Sequence, residues 1–424
     1  MKLGFFGRMA MALVASLALG LGMTACGGGT IAYVWVVGSQ YNQIAGFKVD
    51  DFSGNLTTIP RSPFSVNGAN PVSILVRPGG RYVYVINQGT GGGLVTPPNG
   101  GAKVFSKGSS SGISVFAVGG DGTLTYQVSY QSQGFVPMWA QFDGTGSYLY
   151  VLDKYSPTPA VLTACTRSLT DPACVGTITA FSIDSNTGRL TLVTNSQTQV
   201  GGVNTFSFDV GAAPNMMKTA GGCLFTANTL NNTITPYGLG ANGQLTTQTT
   251  QSIVTGASAI SSINGNGSYI FLTDPVQNRI FPFNVGAANC NLNIFTGGSL
   301  LQNDGATQPV NTLIDNSGKY LYVLNQGTTN PTSQSCCSIS GYTLNTTTGT
   351  LTEITGSPYT VGAAPVCAVE EQTNQYIYVS SHNDGVVTGK VIDSTTGRLT
   401  NLSRGATFNA TGQAGCLAFS NNVQ

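Results

Sequence analysis

The phrase GRYVYVINQG at residues 80–89 returns as GKYLYVLNQG at residues 318–327, changed at three positions and each time conservatively. It sits inside a longer unit: Gly-x-x-Pro, a Ser-Gly-x-Tyr-x-Tyr-Val run, a loop, an Ile-x-x-Phe-x-Ile-Asp run, and a closing Gly-x-Leu-Thr. Copies of this unit occupy residues 68–125, 134–191, 211–246, 256–286 (degenerate), 307–352 and 362–400. A further copy is split between the chain ends. Residues 33–56 begin in mid-unit and lack a first strand, while residues 412–422 read as that first strand and nothing more. Repeats of this kind mark units that bury their faces only against one another. A unit divided between the two ends points to a closed ring, in which the C-terminal strand completes the N-terminal unit.

Within a unit the side chains alternate, Tyr320, Tyr322 and Leu324 against Leu321 and Val323, which is the period of a strand. Turn tetrapeptides such as SNTG at 185–188 and STTG at 394–397 separate four short strands per unit. A four-stranded sheet alone would leave apolar faces wet, and each large aliphatic side chain it buries is worth roughly 1.5–3 kcal/mol. Seven sheets around an axis bury both faces and leave only short edges. An open solenoid would give the split unit no role. The expected fold is all-β: a seven-bladed β-propeller of four-stranded blades over residues 31–424, closed by the C-terminal strand in the N-terminal blade. Only 8% of residues are charged and the net charge is +1, so the clustered cations that nucleic acid requires are missing.

The first residues are of another kind. Lys2 and Arg8 precede an apolar run, Met9 to Met23, of about fifteen residues, short for a span of ~20 and suited to an export signal. Met23-Thr24-Ala25 before Cys26 resembles the lipobox of bacterial lipoproteins. The expectation is a signal peptide at 1–25, a tether at 26–30 and an acylated Cys26 holding an exported lipoprotein on a membrane of the cell envelope, periplasmic or surface-exposed. Eight further cysteines fit disulfides in an oxidising compartment. Cys165 and Cys174 are placed to close one insertion. Cys367 and Cys416 fall at matching places in adjacent blades and would staple the ring. Cys223, Cys290, Cys336 and Cys337 stay unassigned.

The repeated phrase, with Tyr84-Val85-Ile86-Asn87 and Tyr322-Val323-Leu324-Asn325, resembles the lactonase-type propellers that include 6-phosphogluconolactonase, and related surface repeats with a Tyr-Val-x-Asn signature. The resemblance implies the same propeller, with active-site groups converging on the channel mouth. In that family the first strand carries His two residues after Pro, and the second ends in Asn-Glu. Here the first position holds Ser73, Trp139, Met216, Asn311 and Cys367, with Ser261 as the counterpart in the degenerate unit. The second holds Gln88, Lys154, Thr229, Pro275, Gln326 and His382. A lactone hydrolase needs a base for water and donors for the oxyanion. The resemblance therefore implies hydrolysis only with altered residues.

The second strands end in Asn87, Asp153, Asn228, Asp274, Asn325 and Ser381. Such residues either form a polar mouth for a small neutral ligand or terminate strands by bonding to backbone. Asn87, Trp139, Asn228, Asn311 and Asn325 are the ligand-binding candidates, Trp139 because an aromatic face stacks on sugar. His382 with Asp153 or Asp274 is the minimal acid–base set. No phosphate loop, nucleophile elbow or metal-ligand spacing stands out, so neither cofactor nor metal is expected. Insertions at 89–112, 155–176 and 327–337 all fall between second and third strands, hence on one face. The sequence thus favours an envelope protein that binds a glycan, a small neutral ligand or another protein through that face, with lactone hydrolysis as the alternative.

Overall fold

A computed structural model describes residues 29–421 except 169, 250, 253–256, 287–288, 303 and 328–336. The signal segment, Cys26, Cys336 and most of the third insertion lie outside the described residues. Seven antiparallel sheets share one strand order. The inner strands are Ala414–Asn421, Pro71–Val76, Phe135–Phe142, Pro214–Ala220, Ser262–Gly265, Pro309–Ile314 and Pro365–Glu370, for blades 1 to 7 in turn. Each pairs with a second strand, which pairs with a third and that with a fourth. Consecutive inner strands touch all the way round, and Ala414–Asn421 contacts those of both blade 2 and blade 7. Blade 1 is built from both ends of the chain: Thr30–Gly38 pairs Val36 with Leu417 and Trp35 with Ala418.

The repeated phrase has a physical meaning between blades. The second aromatic residue of Tyr-x-Tyr-Val donates to the glycine carbonyl of Gly-x-Leu-Thr in the next blade. The bonds are Tyr84 Oη to Gly188 O at 2.8 Å, Tyr322 Oη to Gly397 O at 2.8 Å and Tyr378 Oη to Gly54 O at 2.6 Å. Trp35 Nε1 to Gly122 O at 3.1 Å is the blade 1 version. The first aromatic packs on the same turn, so closely that a Cβ on Gly188 would lie 2.5 Å from Tyr82 and one on Gly397 2.4 Å from Tyr320. Both glycines also have positive φ, 67° and 70°, where a side chain is strained. The two ends of the phrase therefore fit together from one blade to the next.

Cysteine pairs reinforce this frame. Cys367–Cys416 joins the inner strands of blades 7 and 1, Cys165–Cys174 closes the blade 3 insertion, and Cys223–Cys290 ties blade 4 to blade 5. The blade 2 insertion folds as a hairpin, Gly93–Val95 against Val104–Ser106, and that of blade 3 holds a short helix, Pro159–Ala164. They form one satellite cluster. Leu94 and Phe105 pack with Phe135, Val136, Tyr155 and the Cys165–Cys174 bridge, with Phe105 stacked on Phe135 at 5.4 Å. Among the described residues, no helix is long and apolar enough to cross a membrane.

One alignment is corrected. In the degenerate blade Ser262, not Ser261, lies opposite Thr273, as Asn311 lies opposite Leu324. Without a proline to fix the start, the register there is one residue later, and Ser261 Oγ instead reaches Pro309 O of the next blade at 3.2 Å.

Candidate functional site

The second-strand ends are buried in the blades, so they form no open mouth. Asn87 Nδ2 donates to Ser114 Oγ at 3.0 Å, Asn228 Nδ2 to Thr235 Oγ1 at 3.0 Å and Asn325 Nδ2 to Ser340 Oγ at 2.9 Å, each on the third strand of its own blade. All three are at most 1% exposed. Asp274 accepts the backbone N–H groups of Ser258, Ala259, Val276 and Gln277, so it shapes a turn. Asp153 has no exposed surface and accepts Ser132 Oγ at 2.6 Å. Burial pushes its carboxyl up to about 7, against the hydrogen bond from Ser132 and the charge of Lys107. Lys107 comes from the blade 2 insertion, and its Nζ donates to Ser132 O at 2.6 Å. A carboxyl sealed in this way pins an insertion and has no route to a substrate.

His382 has a similar explanation. Its Nδ1 lies 3.0 Å from Ala414 O, and since a carbonyl only accepts, Nδ1 carries the proton. The equivalent positions of two other blades make the same step around the ring: Gln326 Nε2 donates to Pro365 O at 3.2 Å and Thr229 Oγ1 to Ile260 O at 2.8 Å. In blades 4, 6 and 7 the residue after the strand end thus latches onto the next blade. His382 fills that place in blade 7, and neither Asp153 nor Asp274 is among its hydrogen-bond partners.

Trp139 and Asn311 do reach the axis. A cavity of about 150 Å³ there is walled by residues of all seven inner strands, among them Ser73, Trp139, Lys218, Asn264, Asn311, Cys367 and Cys416. Asn311 Nδ2 is taken by Val366 O at 3.0 Å. Half-buried Trp139 packs at once against clusters from blades 3–4, 4–5 and 7–1, which places its indole across the channel.

The residue that sequence reasoning missed is Lys218. Among the described residues it is the one ionisable side chain lining the cavity, since Cys367 and Cys416 are joined. It is half-buried, and desolvation alone pulls its amine down to about 8. No partner for its Nζ is found among the described residues. A signal was available in the repeat: four residues after the proline the units read Leu75, Gln141, Lys218, Leu313 and Val369, so one column holds a lone cation.

Known proteins place this architecture. A periplasmic gluconolactonase of Pseudomonas aeruginosa superimposes with a TM-score of 0.66 at 14% identity, over 93% of this chain and 100% of that one. A Bacteroides fragilis protein, provisionally named a 6-phosphogluconolactonase, gives 0.66 at 16% identity, over 92% and 98%. A Lactobacillus plantarum protein gives 0.67 at 14% identity, over 92% and 100%. At such identities these likenesses speak for the fold. No curated protein matches the chain. The family model for the lactonase seven-bladed β-propeller matches residues 29–164 and 262–419, more than half of the chain and on both sides of the segment that holds Lys218. The chain accordingly belongs to the lactonase family of seven-bladed β-propellers.

Proposed function

We propose that this protein hydrolyses sugar lactones, with the chemistry in its axial channel. The observation that carries the reading is Lys218, an amine of pKa about 8 in a channel lined by every blade, on a chain of the lactonase family. The neutral amine takes a proton from water as the water oxygen attacks the lactone carbonyl. Gln141 and Trp139 line the same cavity and carry N–H donors for the oxyanion that forms. The ring C–O bond then breaks, the ammonium returns its proton to the departing oxygen, and an aldonic acid remains. Because the base is the neutral form, the rate should rise through about pH 8.

The test is acid release from glucono-δ-lactone and 6-phosphogluconolactone, followed by pH-stat above the spontaneous rate, with the oxidised chain begun after Cys26. Lys218→Met should lower the rate by about 100-fold or more, while His382→Gln, which keeps a latch donor, should leave it unchanged. Wild-type turnover equal to background would overturn the reading.

A second reading rests on the stapled platform of the blade 2 and blade 3 insertions. A rigid surface of this kind suits a glycan or envelope-protein partner of an exported lipoprotein held through Cys26. Expressed in a bacterium, the full chain should fractionate with membranes, and Cys26→Ser should release it. Equal membrane retention of both would count against the lipid tether.

A further inference from the structure

We propose that the axial channel is a binding site for a small monocarboxylate, its anionic group on Lys218 and its hydrocarbon part against the aliphatic wall opposite. The proposal shares a cavity with the hydrolytic reading but stands without it. Strand register carries the first step. Gln141 lies opposite Tyr150, Lys218 opposite Phe225 and Asn264 opposite Phe271, equivalent places in three consecutive blades. The three polar side chains therefore share one height in blades 3, 4 and 5. At that height blades 6, 7, 1 and 2 carry Leu313, Val369, Ala418 and Leu75. Of these, Leu75 and Val369 line the cavity, so at the height of Lys218 its wall is polar on blades 3 to 5 and aliphatic on blades 2 and 7, with Ser73 and Asn311 lining it nearer the strand starts.

Within the polar arc, Asn264 is already spent. Its Nδ2 bonds Thr312 O and its Oδ1 accepts Gly265 N. Gln141, which lines the cavity, makes only a long contact, Nε2 to Phe142 O at 3.5 Å. Among the described residues Lys218 has no partner, and no other ionisable side chain lines the cavity. An ammonium partly withdrawn from water without a counter-ion is disfavoured, so loss of its proton or uptake of an anion is favoured there. A monoanion matches the single charge. A phosphate brings up to a second negative charge, for which the cavity offers no second cation among the described residues. About 150 Å³ is the volume of an engineered cavity that admits benzene, so an acid of about six heavy atoms enters whole, whereas the larger sugar lactone of the hydrolytic reading would enter only by its carbonyl end.

The experiment uses butyrate as the probe and the oxidised chain begun after Cys26, in calorimetric titrations with no lactone present. Butyrate should bind at pH 6.5 and about 30-fold more weakly at pH 9.5, where an amine of pKa about 8 is largely neutral. Near pH 8 binding should take up protons, visible as a heat that changes with the buffer. Lys218→Met keeps the aliphatic stem and should abolish binding at both pH values. Lys218→Arg should bind at both alike, which also guards against a variant that fails to fold. Absence of butyrate binding at pH 6.5, binding that survives Lys218→Met, or tighter binding of inorganic phosphate would each overturn the proposal. Because no lactone is present, loss of this site and loss of hydrolysis are separate outcomes.

Discussion

A chain ended at Thr411 is expected to lose the cooperative fold of the whole molecule, although only its last strand has gone. The strand Ala414–Asn421 is the inner strand of blade 1 and the neighbour of two further inner strands. Its removal bares the edge of Thr30–Gly38, whose Val34, Trp35 and Val36 are fully buried. It also takes away Cys416, and with it the closure of a 49-residue separation worth about 4 kcal/mol in the chain-entropy model. Leu417 adds about 2 kcal/mol of apolar burial, and the lost ladder bonds about 1 kcal/mol each. The total rivals the ~5–15 kcal/mol by which a typical domain is stable. Circular dichroism and urea unfolding would check this, with a Cys367→Ser/Cys416→Ser double variant as the control that loses the bridge but keeps the strand. Adding a synthetic peptide of residues 412–424 should restore part of the native signal to the shortened chain. A shortened chain that unfolds at the full-length midpoint would show that the ring does not need its closing strand.

Ring closure was legible because the split unit has one physical solution, and the blade pattern because Tyr and Gly at the two ends of the phrase meet across each blade boundary. The strand ends were harder. Alternation along Tyr82–Asn87 assigns faces, yet whether Asn87 turns toward the axis or toward Ser114 depends on a third strand that the insertion at 89–112 separates in sequence. The same holds for Asp153, whose environment is set by Ser132 and by a lysine from another blade. Cys223–Cys290 joins positions with no shared place in the repeat, so no alignment of units suggests it. Lys218 was hidden for the opposite reason. The positions at which the family resemblance implies His and Glu are others, and the Lys218 column stands two residues further along the inner strand than the first of them. That column, not the strand ends, supplies the channel's charge.

Gly397→Ala is expected to cost about 3 kcal/mol, far more than an exposed turn glycine normally would. Two separate penalties meet there. A left-handed conformation costs a side chain roughly 1–2 kcal/mol, and Gly397 has φ of 70°. The added methyl would also stand 2.4 Å from the Tyr320 ring, in a contact that is part of the joint between blades 6 and 7. Overpacking of that kind costs about 1–3 kcal/mol. Gly318 separates the two effects: its φ is 71°, but the nearest atom to an added Cβ is Asn266 Nδ2 at 3.7 Å. Gly318→Ala should therefore lose only the conformational part, about 1 kcal/mol. Gly144→Ala, with nothing within 4 Å and no positive φ, should be close to neutral. Urea midpoints of the three variants would rank them. Equal losses at Gly397 and Gly318 would mean that the tyrosine and the turn are neighbours without being mated, and the repeat phrase would then need another cause. The expected ranking would instead place the cause of the repeated phrase at the joints between blades, while the channel column varies from blade to blade, from Leu75 to Lys218.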